Sequence, residues 1–88
     1  MRVSVRLLGS LRPINTHGSK EVELDANSDL MTLVKYLSDE YPEVAGLLKI
    51  SGGILFMLDG VEMENLRGLA TLLRDGSEVV LIPVTHGG

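Results

Sequence analysis

No cysteine occurs among the 88 residues. That absence excludes disulfides, thiolate metal sites, iron–sulfur clusters and a cysteine nucleophile, and it fits a reducing, cytoplasmic setting. Aromatic residues are nearly as scarce, with one Phe and two Tyr. The eight Lys and Arg are scattered and the net charge is −4. Neither a stacking platform nor a basic stripe is available, so no direct nucleic-acid partner is expected. No charged-then-apolar leader opens the sequence and no apolar run approaches membrane-spanning length, so no membrane partner is expected. Twelve Asp and Glu are present, but no pair is spaced as acid–base catalysis demands, and most read as solvated faces. Asp59 and Asp75 each precede a glycine and are explained by turns. His17 lies in a turn-rich stretch with no partner at metal-ligand spacing. The chain therefore carries no expected catalytic residue, metal or cofactor.

What is present is 44% apolar sequence, enough for one core in one small domain. "RVSVRLL" alternates Val3, Val5 and Leu7 against Arg2, Ser4 and Arg6, the period of a strand with one buried face. "GSLRPINTHG" reads as a loop. "KEVEL" gives a second strand with Val22 and Leu24 inward, and the two suggest an opening antiparallel hairpin. From about Asp29 to Tyr41 the period becomes helical, with Leu30, Leu33, Val34, Leu37 and Tyr41 in one stripe. Asn27 or Ser28 can cap this helix, Asp29 suits its positive end, and Pro42 ends it. "EVAGLLKI" suggests a short helical turn presenting Val44, Leu47 and Leu48.

"GILFMLDGVEM" places Asp59-Gly60 between apolar runs, the composition of a tight hairpin with positive φ. Leu66, Leu69, Leu72 and Leu73 fall at near-helical spacing in an irregular turn. "SEVVLIPV" is the most strand-like run of all. One amphipathic helix and one sheet must cover each other's apolar faces, giving an α+β domain in two layers. The order suits a ubiquitin-like β-grasp, a mixed sheet packed on one main helix, with the last strand central and parallel to the first. Residues 1–84 form this domain and residues 85–88 a flexible tail ending in Gly-Gly.

The stretch "GILFMLDGVEMENLRGLATLLRDGSEVVLIPVTHGG" resembles the C-terminal half of the ubiquitin-related modifier (Urm) family, and is similar to the sulfur carriers MoaD and ThiS. The hairpin "LDG", the segment "GLATLLRDGSEV", the apolar last strand and the terminal Gly-Gly carry the resemblance. "PVTHGG" combines the proline of MoaD-type tails with the histidine of Urm tails, which leaves the branch open. The resemblance implies an acyl and sulfur carrier, not itself an enzyme. A separate adenylating enzyme of the ubiquitin-activating type would use ATP and magnesium to activate the Gly88 carboxylate. A sulfur donor would then give a thiocarboxylate for tRNA thiolation, or the acyl group would pass to lysines of other proteins. Two alternatives stay open: the small subunit of molybdopterin synthase, paired with a large subunit, and a plain interaction domain without tail chemistry.

Gly87 and Gly88 suit such activation, because residues without Cβ can thread a narrow channel and bring the carboxylate in line with an α-phosphate. Thr85 and His86 would serve tail recognition. With no apolar anchor, the tail from Thr85 onward is expected to be mobile in the free protein. If Val79 and Leu81 face the core, Val80 and Ile82 point outward. Likewise Ile54, Phe56 and Leu58 share one face and Leu55 and Met57 the other. Met57, Val80 and Ile82 are thus the expected partner surface. Lys20, Lys35 and Lys49 remain equal candidates as acceptors of another copy.

Overall fold

The alternation of Val3, Val5 and Leu7 produces β1 (Arg2–Leu7), with all three side chains buried. The computed structural model describes residues 1–8, 19–49, 53–63 and 66–84, apart from the side chains of 66 and 67. β2 (Lys20–Glu23) runs antiparallel to β1 with Val22 opposite Val3, as expected of the opening hairpin. The connecting loop, with His17, lies outside the described residues.

Leu30, Leu33, Val34 and Leu37 form the buried stripe of α1 (Leu30–Glu40), and Tyr41 continues it. Eleven residues is short for a helix to hold itself in water, where about 12–15 are needed. Burying four such side chains contributes roughly 1.5–3 kcal/mol each, so packing on the sheet holds it. The cap is Asp29 rather than Asn27 or Ser28. Its Oδ1 accepts from the Thr32 hydroxyl at 2.8 Å and the Thr32 N–H at 2.9 Å. Those two bonds, the hydroxyl's first, hold the Asp29 carboxyl below its ordinary 3.8. Asn27 instead takes the left-handed turn position before the cap (φ 68°). Ser28 donates its hydroxyl to the Asp25 carbonyl at 2.7 Å.

The last turn of α1 holds no basic residue, and Asp39 and Glu40 oppose its dipole there. The missing cation comes from β2: Lys20 Nζ donates to the Tyr41 hydroxyl at 2.8 Å and lies 4.0 Å from Glu40. Pro42 then opens α2 (Pro42–Leu48), at a position where its missing N–H costs nothing. Val44 is fully buried and Leu47 packs on the core. Leu48, expected to face inward, is exposed. This seven-residue helix packs against α1, with Val44 and Leu47 on the core side and Leu48 left at the surface.

β3 (Ile54–Leu58) and β4 (Val61–Met63) are antiparallel and joined through Asp59 (φ 49°) and Gly60 (φ 85°), the positive-φ hairpin expected. α3 (Leu66–Leu69) passes so close to β4 that a Cβ on Gly68 would stand 2.8 Å from the Met63 Cβ. Only glycine fits there. Beyond Leu69 the helical spacing stops: Leu72 bridges Asp29 in extended backbone. Period two then puts Leu73 inside and leaves Leu72 exposed, against the expected helical packing of both. The Leu66 side chain lies outside the described residues.

β5 (Glu78–Pro83) buries Val79 and Leu81 completely. Among the described residues the sheet has five strands in the order β2-β1-β5-β3-β4. β1 and β5 are parallel and the other pairs antiparallel. The last strand is therefore central in a mixed sheet with α1 packed on it, which is the ubiquitin-like β-grasp. No helix among the described residues is long and apolar enough to cross a membrane.

Candidate functional site

With Val79 and Leu81 directed into the core, strand geometry sends Val80 and Ile82 to the other side of the sheet. The register then assembles a row across four strands. Arg6 of β1 lies opposite Val80, Val80 opposite Met57 of β3, and Met57 opposite Glu62 of β4. In the next row Leu55 lies opposite Ile82. Leu8 extends β1 with its N–H donated to the Leu81 carbonyl at 3.0 Å. Leu8, Leu55, Met57, Val80 and Ile82 are all half-buried, and none of them belongs to the hydrophobic packing around the core.

This outward face is divided along the strands. Its polar half lies where β1 begins: Arg2 Nε sits 3.2 Å from Glu21 and 3.1 Å from Glu23, and Ser4 lies opposite Glu78. These side chains are solvated, and such pairs contribute little to stability. Its apolar half lies where β1 and β5 end. Arg6 stands at the boundary, exposed, its side chain without a hydrogen bond or ion pair among the described residues. At the apolar end, Val84 still donates its N–H to the Gly53 carbonyl at 2.9 Å. The chain is thus tied to the sheet up to its last described residue.

The structure therefore brings Met57, Val80 and Ile82 together on one face of adjacent strands. Thr85, His86, Gly87 and Gly88 lie outside the described residues. Leu55, read from the sequence onto the same face as Met57, joins Met57, Val80 and Ile82, and Leu8 and the boundary residue Arg6 adjoin them without having been singled out in the sequence. Leu8 follows three inward residues by alternation and could have been read from that period. The position of Arg6 beside Val80 depends on the parallel register, which no local pattern encodes. The two turn aspartates do more than turn: Asp59 Oδ1 accepts the first N–H of β5, from Glu78, at 2.8 Å, and Asp75 Oδ1 accepts that of Arg2 at 2.8 Å. Among the described residues no group of three His, Asp or Glu side chains could hold a metal ion.

A mixed five-stranded sheet in this order, with α1 packed on one face and the last strand central, places the chain in the class of ubiquitin-like β-grasp proteins. Residues 5–88 match the ThiS family, and the chain belongs to it, a family of small ubiquitin-like sulfur carriers and modifiers. Comparison with curated proteins finds no match. Among solved structures, the chain is similar to the HVO 2177 protein of Haloferax volcanii, at 27% identity and a TM-score of 0.83, covering 100% of this chain and 87% of that one. It is similar to small archaeal modifier protein 1 (SAMP1) of Methanosarcina acetivorans, at 26% identity and a TM-score of 0.75, covering 99% and 96%. It is also similar to a chain of the complex of subunits 1 and 2 of molybdopterin-converting factor from Helicobacter pylori, at 26% identity and a TM-score of 0.65, covering 100% of both.

Proposed function

We propose that this protein is a cytoplasmic modifier and sulfur carrier whose Gly88 carboxylate is adenylated by a separate activating enzyme. A free α-carboxylate titrates near 3.3–3.7, so at neutral pH it is an anion and a poor electrophile. Attack of its oxygen on the α-phosphorus of ATP, held with magnesium by the partner, releases pyrophosphate and leaves a mixed anhydride. A sulfur donor displaces AMP to give the thiocarboxylate used in tRNA thiolation. Alternatively, a thiol and then a protein lysine take the acyl group. The carrier contributes the acyl group and its presentation, and the enzyme contributes the catalysis.

The observation that carries this reading is the meeting of two features at one end of the sheet. The apolar half of the outer face, with Met57, Val80 and Ile82, lies where the chain leaves β5. There the Val84–Gly53 bond holds its base. A partner covering that face would receive residues 85–88 directly. From Pro83 to Gly88 an extended chain spans roughly 20 Å, enough to reach a buried site. In this reading Thr85 and His86 line the channel, and Gly87 and Gly88 admit the carboxylate to the phosphate.

A second reading is the small subunit of molybdopterin synthase, with the thiocarboxylate delivered inside a large subunit. It is favoured by the similarity to the H. pylori chain, which is solved in complex with its second subunit, and by Pro83 before the tail. Intact mass of the protein recovered from its own cells tests the carrier reading. One oxygen-for-sulfur exchange, or larger lysine-linked adducts, is expected. A stoichiometric large subunit without lysine adducts would select the second reading. Unmodified chains under every sulfur condition would leave only an interaction domain.

A further inference from the structure

The three lysines of the described residues are not equivalent. Lys20, on β2, donates to the Tyr41 hydroxyl at 2.8 Å. Its ammonium stands 5.0 Å from the Tyr41 ring centroid and 5.8 Å from that of Tyr36, and 4.0 Å from the Glu40 carboxylate. Two aromatic faces, a hydroxyl and a carboxylate thus surround one cation, and cation–π distances of up to about 6 Å are attractive. The same cation supplies the charge that the acidic last turn of α1 lacks. Lys35, on α1, and Lys49, which closes α2, are exposed, and their side chains make no hydrogen bond or ion pair among the described residues.

We infer that Lys35 and Lys49 are the side-chain amines of this chain that accept acyl groups, and that Lys20 is withheld as a clasp between β2 and the end of α1. In the step concerned, the lone pair of a neutral amine attacks the carbonyl carbon of an activated acyl donor, an acyl adenylate or a thioester. The C–N bond forms, the bond to adenylate or thiolate breaks, and the amine's extra proton passes to solvent. The attacking nitrogen must first lose a proton and turn freely toward the donor. At Lys20 one of the ammonium's three protons is donated to the Tyr41 hydroxyl, which holds the nitrogen in its charged form and in place. This bond is the largest cause of a pKa raised above the ordinary 10.5, outweighing the opposing effect of partial burial. Among the described residues, the side chains of Lys35 and Lys49 have no such contact to break. Both belong to the helical layer, on the side of the sheet opposite Met57, Val80 and Ile82, so they stay accessible while that face is covered.

Where the donor is the activated end of a second copy, the inference rests on the carrier reading, but its test does not. The intact chain is treated at mildly alkaline pH with limiting acetyl N-hydroxysuccinimide ester, and the acetylation rate of each lysine is followed by peptide mass spectrometry. Lys35 and Lys49 are expected to react at similar rates and Lys20 measurably more slowly, because its ammonium is held by the Tyr41 hydroxyl. Tyr41→Phe keeps the ring in the core and removes the hydroxyl. It should bring Lys20 most of the way to the rate of Lys35 while leaving Lys35 unchanged. Acetylation of Lys20 as fast as Lys35 in the wild-type chain would overturn the inference. So would a slow Lys20 unaffected by Tyr41→Phe, because the hydroxyl would then not be what withholds it.

Discussion

The N–H of Val84 donates to the carbonyl of Gly53 at 2.9 Å, one residue past the end of β5. Because β5 is central, this bond extends a strand already paired on both sides, to β1 and to β3. A tail leaving from an edge strand would start from a base free to fray. Here the point of departure is fixed relative to Ile82 and Leu55, so under the proposed function a partner seated on the outer face would meet the chain at a defined point. That is the mechanical requirement for presenting a carboxylate to a phosphate, where small misplacement costs on the order of a hundredfold in rate.

Met57→Asp and Ile82→Asp should each weaken binding to the activating enzyme while leaving the melting temperature close to that of the wild type. Both side chains stand on the outward face and outside the core packing. A central apolar anchor in an interface commonly carries about 2 kcal/mol or more, which is about thirtyfold in Kd. Titration calorimetry on the folded variants checks this, and wild-type affinity in both would move the partner surface elsewhere.

Gly68→Ala should destabilise the fold. The added methyl would meet the Cβ of Met63 at 2.8 Å, and the Met63 Cα lies 3.3 Å away. Neither atom is the free end of a side chain, so α3 and β4 must move apart. Such overpacking costs about 1–3 kcal/mol. Gly46→Ala, with nothing within 4 Å of the added atom, is the control and should be neutral or slightly stabilising in thermal unfolding.

The acid side of the stability curve should carry the signature of the α1 cap. Asp29 has its folded pKa lowered by the Thr32 hydroxyl and then the Thr32 N–H. Its contribution is therefore present above its ordinary 3.8 and lost as pH falls through the lowered folded value. Asp29→Ala should melt a few degrees lower at neutral pH, and the gap should close in strong acid. Lys20 has the opposite sign: with a raised folded pKa, its contribution is present below 10.5 and lost as pH rises through the raised value. Lys20→Met should therefore differ from wild type at neutral pH and converge with it in strong alkali. Melting scans across pH check both.

Much of this architecture is legible in the sequence, because its periods are unmixed. Val3, Val5 and Leu7 leave one choice of inner face, and Leu30, Leu33, Val34 and Leu37 leave one choice of helix stripe. Asp59-Gly60 fixes a hairpin between them and the last strand. Leu72 shows where pattern fails: the spacing Leu66, Leu69, Leu72, Leu73 satisfies a helix, but the chain turns extended after Leu69 to bond Leu30 and Ser28. That choice belongs to tertiary pairing. The cap differs for a related reason: Asn27 and Ser28 are the expected caps, and only the placement of Thr32 makes Asp29, the residue after them, the one that caps. Of the candidate site, the outward face follows from alternation in two strands. Its division into polar and apolar halves, and the position of Arg6, follow from cross-strand register alone.

The tail substitutions separate fold from function. Gly87→Ala restricts φ just behind the reacting carboxyl and Gly88→Ala puts a methyl beside it. Both should leave thermal unfolding unchanged and depress activation, by up to about a hundredfold if the carboxylate is displaced from its line of attack.

The central claim is that the carboxylate of Gly88 is the group on which a partner enzyme acts. ATP–pyrophosphate exchange with that enzyme measures this step alone, before any sulfur donor or lysine is involved. It should be run on the wild-type chain and on a chain lacking Gly87 and Gly88, both verified as folded. Exchange is expected with the wild type and only background exchange with the shortened chain. Equal exchange for the two would contradict the claim.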